Sequence, residues 1–445
     1  LLIRCIYHLQ LFIDFFLLHL VGYTTLKGWK EEARTASQQF EHSAQVVKIL
    51  RRSCFPPFNA RLRRFLYVHE KYVNPYDVLE SDNITLARIT DEYCIFAEVP
   101  EGINVYDTSK YPFMYFAHAT QPTKFILMSH SALHKVAEKC RSYLHEQSTE
   151  LFFFANPGRC GSTLLCQIFS KLPRTLVMSE PYATSTAMLK LNNHTITSEE
   201  YKALVISSWK IQLKCQKTEF DKIFIKPALM SSQSIEVLKE VYPTIRTFVL
   251  TRHPHAVISS FSRIQHHFSS VSPMYKREER NAWFFGGNST PFTKFHRELQ
   301  DKYMRKCNGL EIYEVHAYSY ALTTACLLEL MVKGAEFVIL YEDLIQNKEQ
   351  ATQSMFKKLG IPSDHVQQAL LAFSSHSQEL KEGKNLLPQS GNGKLNDEEQ
   401  LRVNQIFREV KLPQISVNMS LDQLRKLFDN DGSRTVGAGV EILAS

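Results

Sequence analysis

Two stretches of this chain place positive and hydroxyl side chains where a buried strand would run into a helix. In the first, LFFFANPGRCGSTLLCQIF, an apolar strand leads through residues 159–163 into a helix. Backbone N–H groups at the start of a helix lack intrahelical partners, and the helix dipole attracts negative charge there. Gly161 would let the main chain approach an anion closely. Arg159 would add a charge, and Ser162 and Thr163 would add hydroxyl donors. The pattern indicates a phosphate-binding loop, while a plain turn capped by Ser162 is the structural alternative.

The second stretch is RTFVLTRHPHAVISSFSRI, again an apolar strand followed by a helix. Arg252 follows the strand, at the carboxyl end where α/β sheets bind ligands. Pro254 is tolerated near the start of the helix, and Ser260 lies inside it. An arginine at such a position is often a surface salt-bridge residue. Combined with the first loop, it predicts a second anion-binding group.

Two other chemistries fit the first loop less well. A nucleotide kinase loop of the form G-x-x-x-x-G-K-[ST] needs a lysine directly before the hydroxyl residue, where this chain has Gly161. A cysteine phosphatase needs an arginine a few residues after its nucleophile, and neither Cys160 nor Cys166 has one. Both cysteines are interpreted as packing residues.

Together the two stretches resemble the family of sulfotransferases that use 3'-phosphoadenosine 5'-phosphosulfate (PAPS), over roughly residues 150–427. The family loop P-[RK]-S-G-[ST]-[ST] matches residues 159–163, with Gly158 as an extra residue and Cys160 in place of serine. The family's arginine with a serine eight residues later matches Arg252 and Ser260. The resemblance implies PAPS as donor, no metal, and donor contacts from Arg159, Cys160, Gly161, Ser162, Thr163, Leu164, Arg252 and Ser260.

The resemblance also implies the remaining roles. Cytosolic members use a histidine shortly after a lysine, but Lys226 is followed by Pro-Ala-Leu. Golgi branches that act on carbohydrate or tyrosine use a glutamate after the next strand, which corresponds to Glu180 in VMSEPYA. We therefore expect Glu180 to be the general base, with Lys226 and Arg159 near the transferring sulfuryl group. Tyr341 in LYEDL would lie near the adenine.

The chemistry of the reaction agrees with these assignments, because in-line sulfuryl transfer depends on positioning and electrostatics. A glycan hydroxyl is the favoured acceptor, and protein tyrosine and small alcohols remain open. A non-catalytic nucleotide- or glycan-binding protein of the same fold and a small-molecule kinase are the alternative functions. No motif indicates a nucleic-acid partner.

Periodicity predicts an α/β fold of the P-loop nucleotide-binding type, with a parallel sheet flanked by helices. Residues 149–428 would form this sulfotransferase domain, and residues 429–445 a flexible tail. Its strands are nearly all apolar, as expected of strands buried on both faces. They are residues 151–155, 175–178, 222–226, 245–251 and 336–342.

Residues 25–148 are expected to hold a stem and a small mixed subdomain. The polar stretch from Lys27 to Gln45 suits an exposed helix or stem. Ser131 is a candidate N-cap for a helix from Ala132 to about His145. Strand formers between turn signals predict strands at residues 84–90, 93–99, 103–107, 112–119 and 124–130.

Composition limits the function classes only weakly. The net charge of +7 would attract a polyanion, but so small an excess is common. The nine cysteines include no C-x-x-C pair, so a structural metal is not expected.

Residues 1–24 predict either a membrane anchor or an amphipathic helix. The apolar run is long enough to span a bilayer, but Arg4 and Asp14 interrupt it. An anchor would place the domain in the Golgi lumen, where the sequons at Asn83, Asn193, Asn288 and Asn418 could be glycosylated. Without an anchor the protein would be cytoplasmic.

Overall fold

Two five-stranded sheets organise this protein. The computed structural model describes residues 43–52, 65–140, 149–192, 195–214, 220–228, 234–271, 310–374 and 395–428, with Ile13 and Leu62 as single residues. The strands are β1 Ala44–Arg52, β2 Phe65–Val73, β3 Ile84–Ile89, β4 Tyr93–Glu98, β5 Lys124–Ser129, β6 Glu150–Ala155, β7 Thr175–Ser179, β8 Lys222–Lys226, β9 Arg246–Thr251 and β10 Val338–Leu340.

The described helices surround and connect these sheets. They are Met114–Thr120, His130–Lys139, Ser162–Ser170, Tyr182–Asn192, Ser198–Gln212, Ser234–Val241, Pro254–Val271, Ile312–Val332, Tyr341–Gln346, Lys348–Leu359, Val366–Leu370, Asp397–Glu409 and Leu421–Phe428, with short 3-10 turns at Pro75–Leu79, Ser363–His365 and Leu371–Phe373.

The second sheet is parallel, in the order β10-β9-β6-β8-β7, and it confirms the predicted α/β class. Its strands bury nearly all their side chains beneath helices. Phe169 of the helix Ser162–Ser170 stacks on Phe224 of β8 with ring centroids 3.8 Å apart. Because all five strands run the same way, their carboxyl ends meet at one edge.

One predicted strand of this sheet is too long. Residues 336–342 were expected to be extended, but β10 covers only Val338–Leu340 and a helix begins at Tyr341. The side chains of Glu342 and Asp343 face polar groups there rather than continuing an apolar strand. Tyr341 therefore begins a helix instead of ending a strand.

The first sheet belongs to an N-terminal unit, residues 43–140. It is antiparallel in the order β2-β1-β5-β4-β3. The sequence predicted β3, β4 and β5 but not β1 or β2. Gln45, which the sequence places at the end of a stem, lies in β1 and pairs with Tyr72 of β2. Each of these strands is buried over only part of its length, and exposed charges such as Lys48 and Lys71 make the rest look like polar surface.

Two other segments of the unit differ from prediction. Most of the predicted strand 112–119 lies in the helix Met114–Thr120, because Met114, Ala117 and His118 bury one face at spacings of three and four residues. Residues 103–107 turn because the Asn104 and Asp107 side chains accept hydrogen bonds from N–H groups two residues on.

The helix after β5 begins earlier than predicted. It spans His130–Lys139, and the hydroxyl of Ser129 accepts the capping hydrogen bond from the Ala132 N–H. Ser131 is therefore not the N-cap, and the helix does not reach His145 as a continuous element because Cys140 is extended. Residues 141–148 lie outside the described residues.

The two sheets share a hydrophobic core. The helix Tyr182–Asn192 crosses behind β3, where the Ile89 N–H donates to the Thr186 hydroxyl at 3.0 Å. Side chains from both sheets pack into the same cluster, including Phe96 of β4 and Phe153 of β6. The N-terminal unit is thus positioned against the parallel sheet.

One described helix, Ile312–Val332, is long and apolar enough to cross a membrane, and most of it is buried within the protein. Apart from Ile13, the expected anchor at residues 1–24 lies outside the described residues, as does the tail 429–445.

Candidate active site

The loop after β6 is strongly curled. Gly158, Arg159 and Gly161 all have positive φ, at 72°, 51° and 85°. A side-chain-bearing residue such as Arg159 rarely adopts this conformation, and such strain is characteristic of functional sites. The helix begins at Ser162 with Gly161 as N-cap, and no side chain caps it. Ser162 is therefore not the cap that the structural alternative expected, and the role of the loop in binding phosphate stays a prediction.

The residues at the start of this helix are packed tightly. Ser162, Thr163 and Leu164 are buried on its first turn, and Leu164 belongs to a hydrophobic cluster. A Cβ on Gly161 would lie 2.1 Å from Cδ2 of Tyr341. Gly161 is thus required by an aromatic ring as well as by its backbone conformation. The predicted contact of Tyr341 with adenine stays a prediction.

The two predicted anion-binding stretches meet. Nε of Arg159 donates to the Ser260 hydroxyl at 2.9 Å, and Nη1 of Arg252 donates to the Arg159 carbonyl at 3.1 Å. The Arg252 guanidinium also lies over the Tyr341 ring, 4.5 Å from its centroid. Residues from β6, β9 and the start of the Tyr341 helix therefore form one site.

This site concentrates positive charge. Burial, followed by the positive charges of Arg252 and Arg263, lowers the pKa of Arg159 to about 10. Burial and Arg252 likewise lower the pKa of Arg263. Nε of Arg252 is buried without a hydrogen-bond partner among the described residues, with Glu342 3.9 Å away. Like charges held together in this way favour an anionic ligand.

The carboxyl ends of β7 and β8 hold an ion pair. Nζ of Lys226 lies 2.6 Å from Oε1 of Glu180, and the two side chains are 2% and 19% exposed. The Glu180 N–H also donates to the Lys226 carbonyl at 2.8 Å. Glu180 has a φ of 56° and, like Arg159, carries its side chain in the left-handed region. The backbone thus turns the carboxylate toward the lysine.

Cys160 links the two parts of the site electrostatically. Burial raises the pKa of Cys160 to about 11, while Lys226 and Arg252 oppose that rise. Both cations therefore lie near the loop, and the buried thiol is unreactive. Among the described residues, no group of three or more His, Cys, Asp or Glu could hold a metal.

Sequence reasoning missed Arg263, Phe113 and Glu342. Arg263 lies three residues after Ser260 on one helix, a spacing that could have indicated a shared face. Glu342 accepts a hydrogen bond from the His253 N–H at 3.1 Å. Phe113 comes from the N-terminal unit, and its ring lies 4.7 Å from Nζ of Lys226. No local pattern indicates this long-range contact.

Solved structures of sulfotransferases resemble this chain at low sequence identity. No protein-family model matches the chain, and no curated protein matches it. A sulfotransferase from Alicyclobacillus acidocaldarius is 15% identical, covers 59% of this chain and 93% of its own, and has a TM-score of 0.30. A sulfotransferase from Mycobacterium avium is 10% identical over 62% and 80% of the chains, with a TM-score of 0.37. A sulfotransferase domain from the curacin biosynthetic pathway is 13% identical over 63% and 96%, with a TM-score of 0.32. At such scores the function must be argued from the residues.

Proposed function

We propose that this protein is a sulfotransferase that moves the sulfuryl group of PAPS to an acceptor hydroxyl. The observation that carries the proposal is the convergence of Arg159, Arg252 and Ser260, next to a buried Lys226–Glu180 pair. The first group suits the phosphates of a nucleotide. The second supplies a base and a cation, which sulfuryl transfer requires.

The described residues fit a donor with two separate anionic groups. The uncapped helix start at Ser162 and the charge of Arg159 would hold the 5'-phosphosulfate. Arg252 and Ser260 would hold the 3'-phosphate, and the unpartnered Nε of Arg252 is a donor suited to a phosphate oxygen. The 3'-phosphate would serve as a binding handle away from the reacting sulfur.

The transfer step assigns a role to each remaining charged group. PAPS, when bound, supplies a sulfuryl group whose sulfur bonds to the acceptor oxygen as its bond to the 5'-phosphate oxygen breaks. Glu180 takes the proton of the acceptor hydroxyl. Lys226 would lie against the oxygens of the transferring sulfuryl group, and Arg159 would stabilise the negative charge that the electron pair of the broken bond leaves on the phosphate oxygen.

A glycan is the favoured acceptor class. Two features of the sequence support this class. Glu180 follows the strand β7, and no histidine follows Lys226 of β8. Both features are similar to the Golgi branches of the family. Tyrosine peptides and small alcohols are the competing classes.

Transfer from labelled PAPS to a panel of glycans, tyrosine peptides and phenols tests the proposal. We expect label on a glycan, with ATP neither competing with PAPS nor phosphorylating the acceptor. Binding of PAPS without transfer to any acceptor would favour a non-catalytic nucleotide-binding protein. Failure to bind PAPS would reject the donor.

Localisation in the Golgi membrane is a separate proposal, based on the apolar residues 1–24. A tagged chain should then resist carbonate extraction from membranes and carry glycans at some of its four sequons. A soluble, unglycosylated product would place the enzyme in the cytoplasm.

A further inference from the structure

The ammonium group of Lys226 is buried with few partners. Its side chain is 2% exposed, so water does not solvate it well. An ammonium carries three donors, and burial of a charge is unfavourable unless other groups compensate. Within the described residues, Nζ lies 2.6 Å from Oε1 of Glu180 and 4.7 Å from the centroid of the Phe113 ring.

Phe113 reaches this position from outside the parallel sheet. It directly precedes the helix Met114–Thr120 of the N-terminal unit and is 5% exposed. Its ring stacks on that of Tyr115, with centroids 5.1 Å apart and planes 4° apart. The ring is therefore held in one orientation by its neighbours.

The segment around Phe113 is also fixed to the other half of the ion pair. The Pro112 carbonyl accepts a hydrogen bond from the Ser179 hydroxyl at 2.7 Å, and Ser179 directly precedes Glu180. Two adjacent residues of the N-terminal unit thus contact the ends of β7 and β8. An aromatic face attracts a cation most strongly where water is excluded.

We propose that Phe113 is a positioning residue that holds the Lys226 ammonium at the transfer site, so that the N-terminal unit completes the active site. This inference rests on the proposed function. Phe113 acts through Lys226 and touches neither donor nor acceptor in this role. Its loss should therefore affect recognition of the sulfuryl group and leave the contacts of Arg252 and Ser260 with the 3'-phosphate unchanged.

Calorimetry with two nucleotides tests this role without a known acceptor. PAPS carries the sulfuryl group, and adenosine 3',5'-bisphosphate lacks it. Phe113→Leu and Phe113→Met, which remove the ring, should lower the ratio of PAPS to bisphosphate affinity about tenfold. Phe113→Tyr keeps the ring and should retain the ratio. Phe116→Leu is the matched control, because Phe116 packs against a separate cluster around Val99.

The outcomes separate this inference from the proposed function. A wild-type protein that binds neither nucleotide would overturn the PAPS proposal and the inference together. Wild-type binding of both nucleotides, with the affinity ratio unchanged in Phe113→Leu and Phe113→Met, would overturn the role of Phe113 alone. Equal weakening of both nucleotides in these two variants would assign Phe113 to packing and also overturn it.

Discussion

The two ends of the parallel sheet hold similar ion pairs in different surroundings. Strand β8 has a lysine at each end, and Lys222 pairs with Glu150 as Lys226 pairs with Glu180. At the amino end the side chains are 19% and 41% exposed, whereas at the carboxyl end they are 2% and 19% exposed. An exposed pair contributes little to stability, and burial of a pair carries a desolvation penalty. The buried pair therefore calls for a functional explanation.

The arginines differ in the same way. At the amino end, Arg174 pairs with Asp221 and Arg246 with Glu336. At the carboxyl end, Arg159 bonds to a serine hydroxyl and Arg252 to a backbone carbonyl. The amino-end arginines lie within 3.0 Å of their carboxylates, whereas Nε of Arg252 lies 3.9 Å from Glu342. The looser pairing leaves the Arg252 guanidinium available to the anionic ligand of the proposed function.

The largest expected effect is on kcat, when Glu180 and Glu150 are each replaced by glutamine in separate variants. Glu180→Gln removes the proposed base and should lower kcat about 10²- to 10⁴-fold. PAPS affinity should change little, because the phosphate contacts remain. Glu150→Gln makes the same chemical change at the amino end and should leave kcat unaltered. Equal kinetic effects of the two substitutions in a transfer assay would remove the distinction between the ends.

An intermediate effect is expected at Arg159. Arg159→Ala removes a charge-assisted contact and should weaken PAPS binding by about 1.5–3 kcal/mol. Arg174 is a suitable control, because its φ of 45° gives a similar backbone conformation and its side chain is 54% exposed. Calorimetry on Arg174→Ala should show wild-type affinity. Unchanged affinity in Arg159→Ala would reject the loop as a donor site.

The smallest expected difference between a variant and its control concerns the stability of the loop. Gly161→Ala and Gly102→Ala both place a Cβ at nearly the same φ, 85° and 82°, which costs roughly 1–2 kcal/mol. Only the Cβ at position 161 meets a neighbour, the ring of Tyr341. Denaturant unfolding should therefore show a further loss of about 1–3 kcal/mol for Gly161→Ala. Equal losses would mean that Tyr341 moves aside freely.

The sequence predicted the parallel sheet because its evidence is local. Buried strands such as β6 and β8 are short apolar runs, and turn residues mark their ends. The same reasoning placed Arg159, Arg252, Glu180 and Lys226 at carboxyl ends, although their roles remain proposals.

The N-terminal unit was predicted less well because its evidence is not local. The helix Met114–Thr120 is too short for its periodicity to stand out against strand formers. The contact of Phe113 with Lys226 joins residues far apart in the chain, and no spacing rule covers it. Tyr341 was placed on a strand because it directly follows the apolar residues of β10 and no glycine or proline marks the end of that strand.

The most direct test of the proposed PAPS site compares two ligands and two arginines. PAPS carries a 3'-phosphate, and adenosine 5'-phosphosulfate lacks it. Arg252→Ala should weaken the binding of PAPS by about one to two orders of magnitude. The affinity for adenosine 5'-phosphosulfate, which binds more weakly, should barely change. Arg246→Ala, at the amino end of the same strand, should leave the ratio of the two affinities at its wild-type value. A ratio that Arg252→Ala leaves unchanged would contradict the assignment of the 3'-phosphate to Arg252.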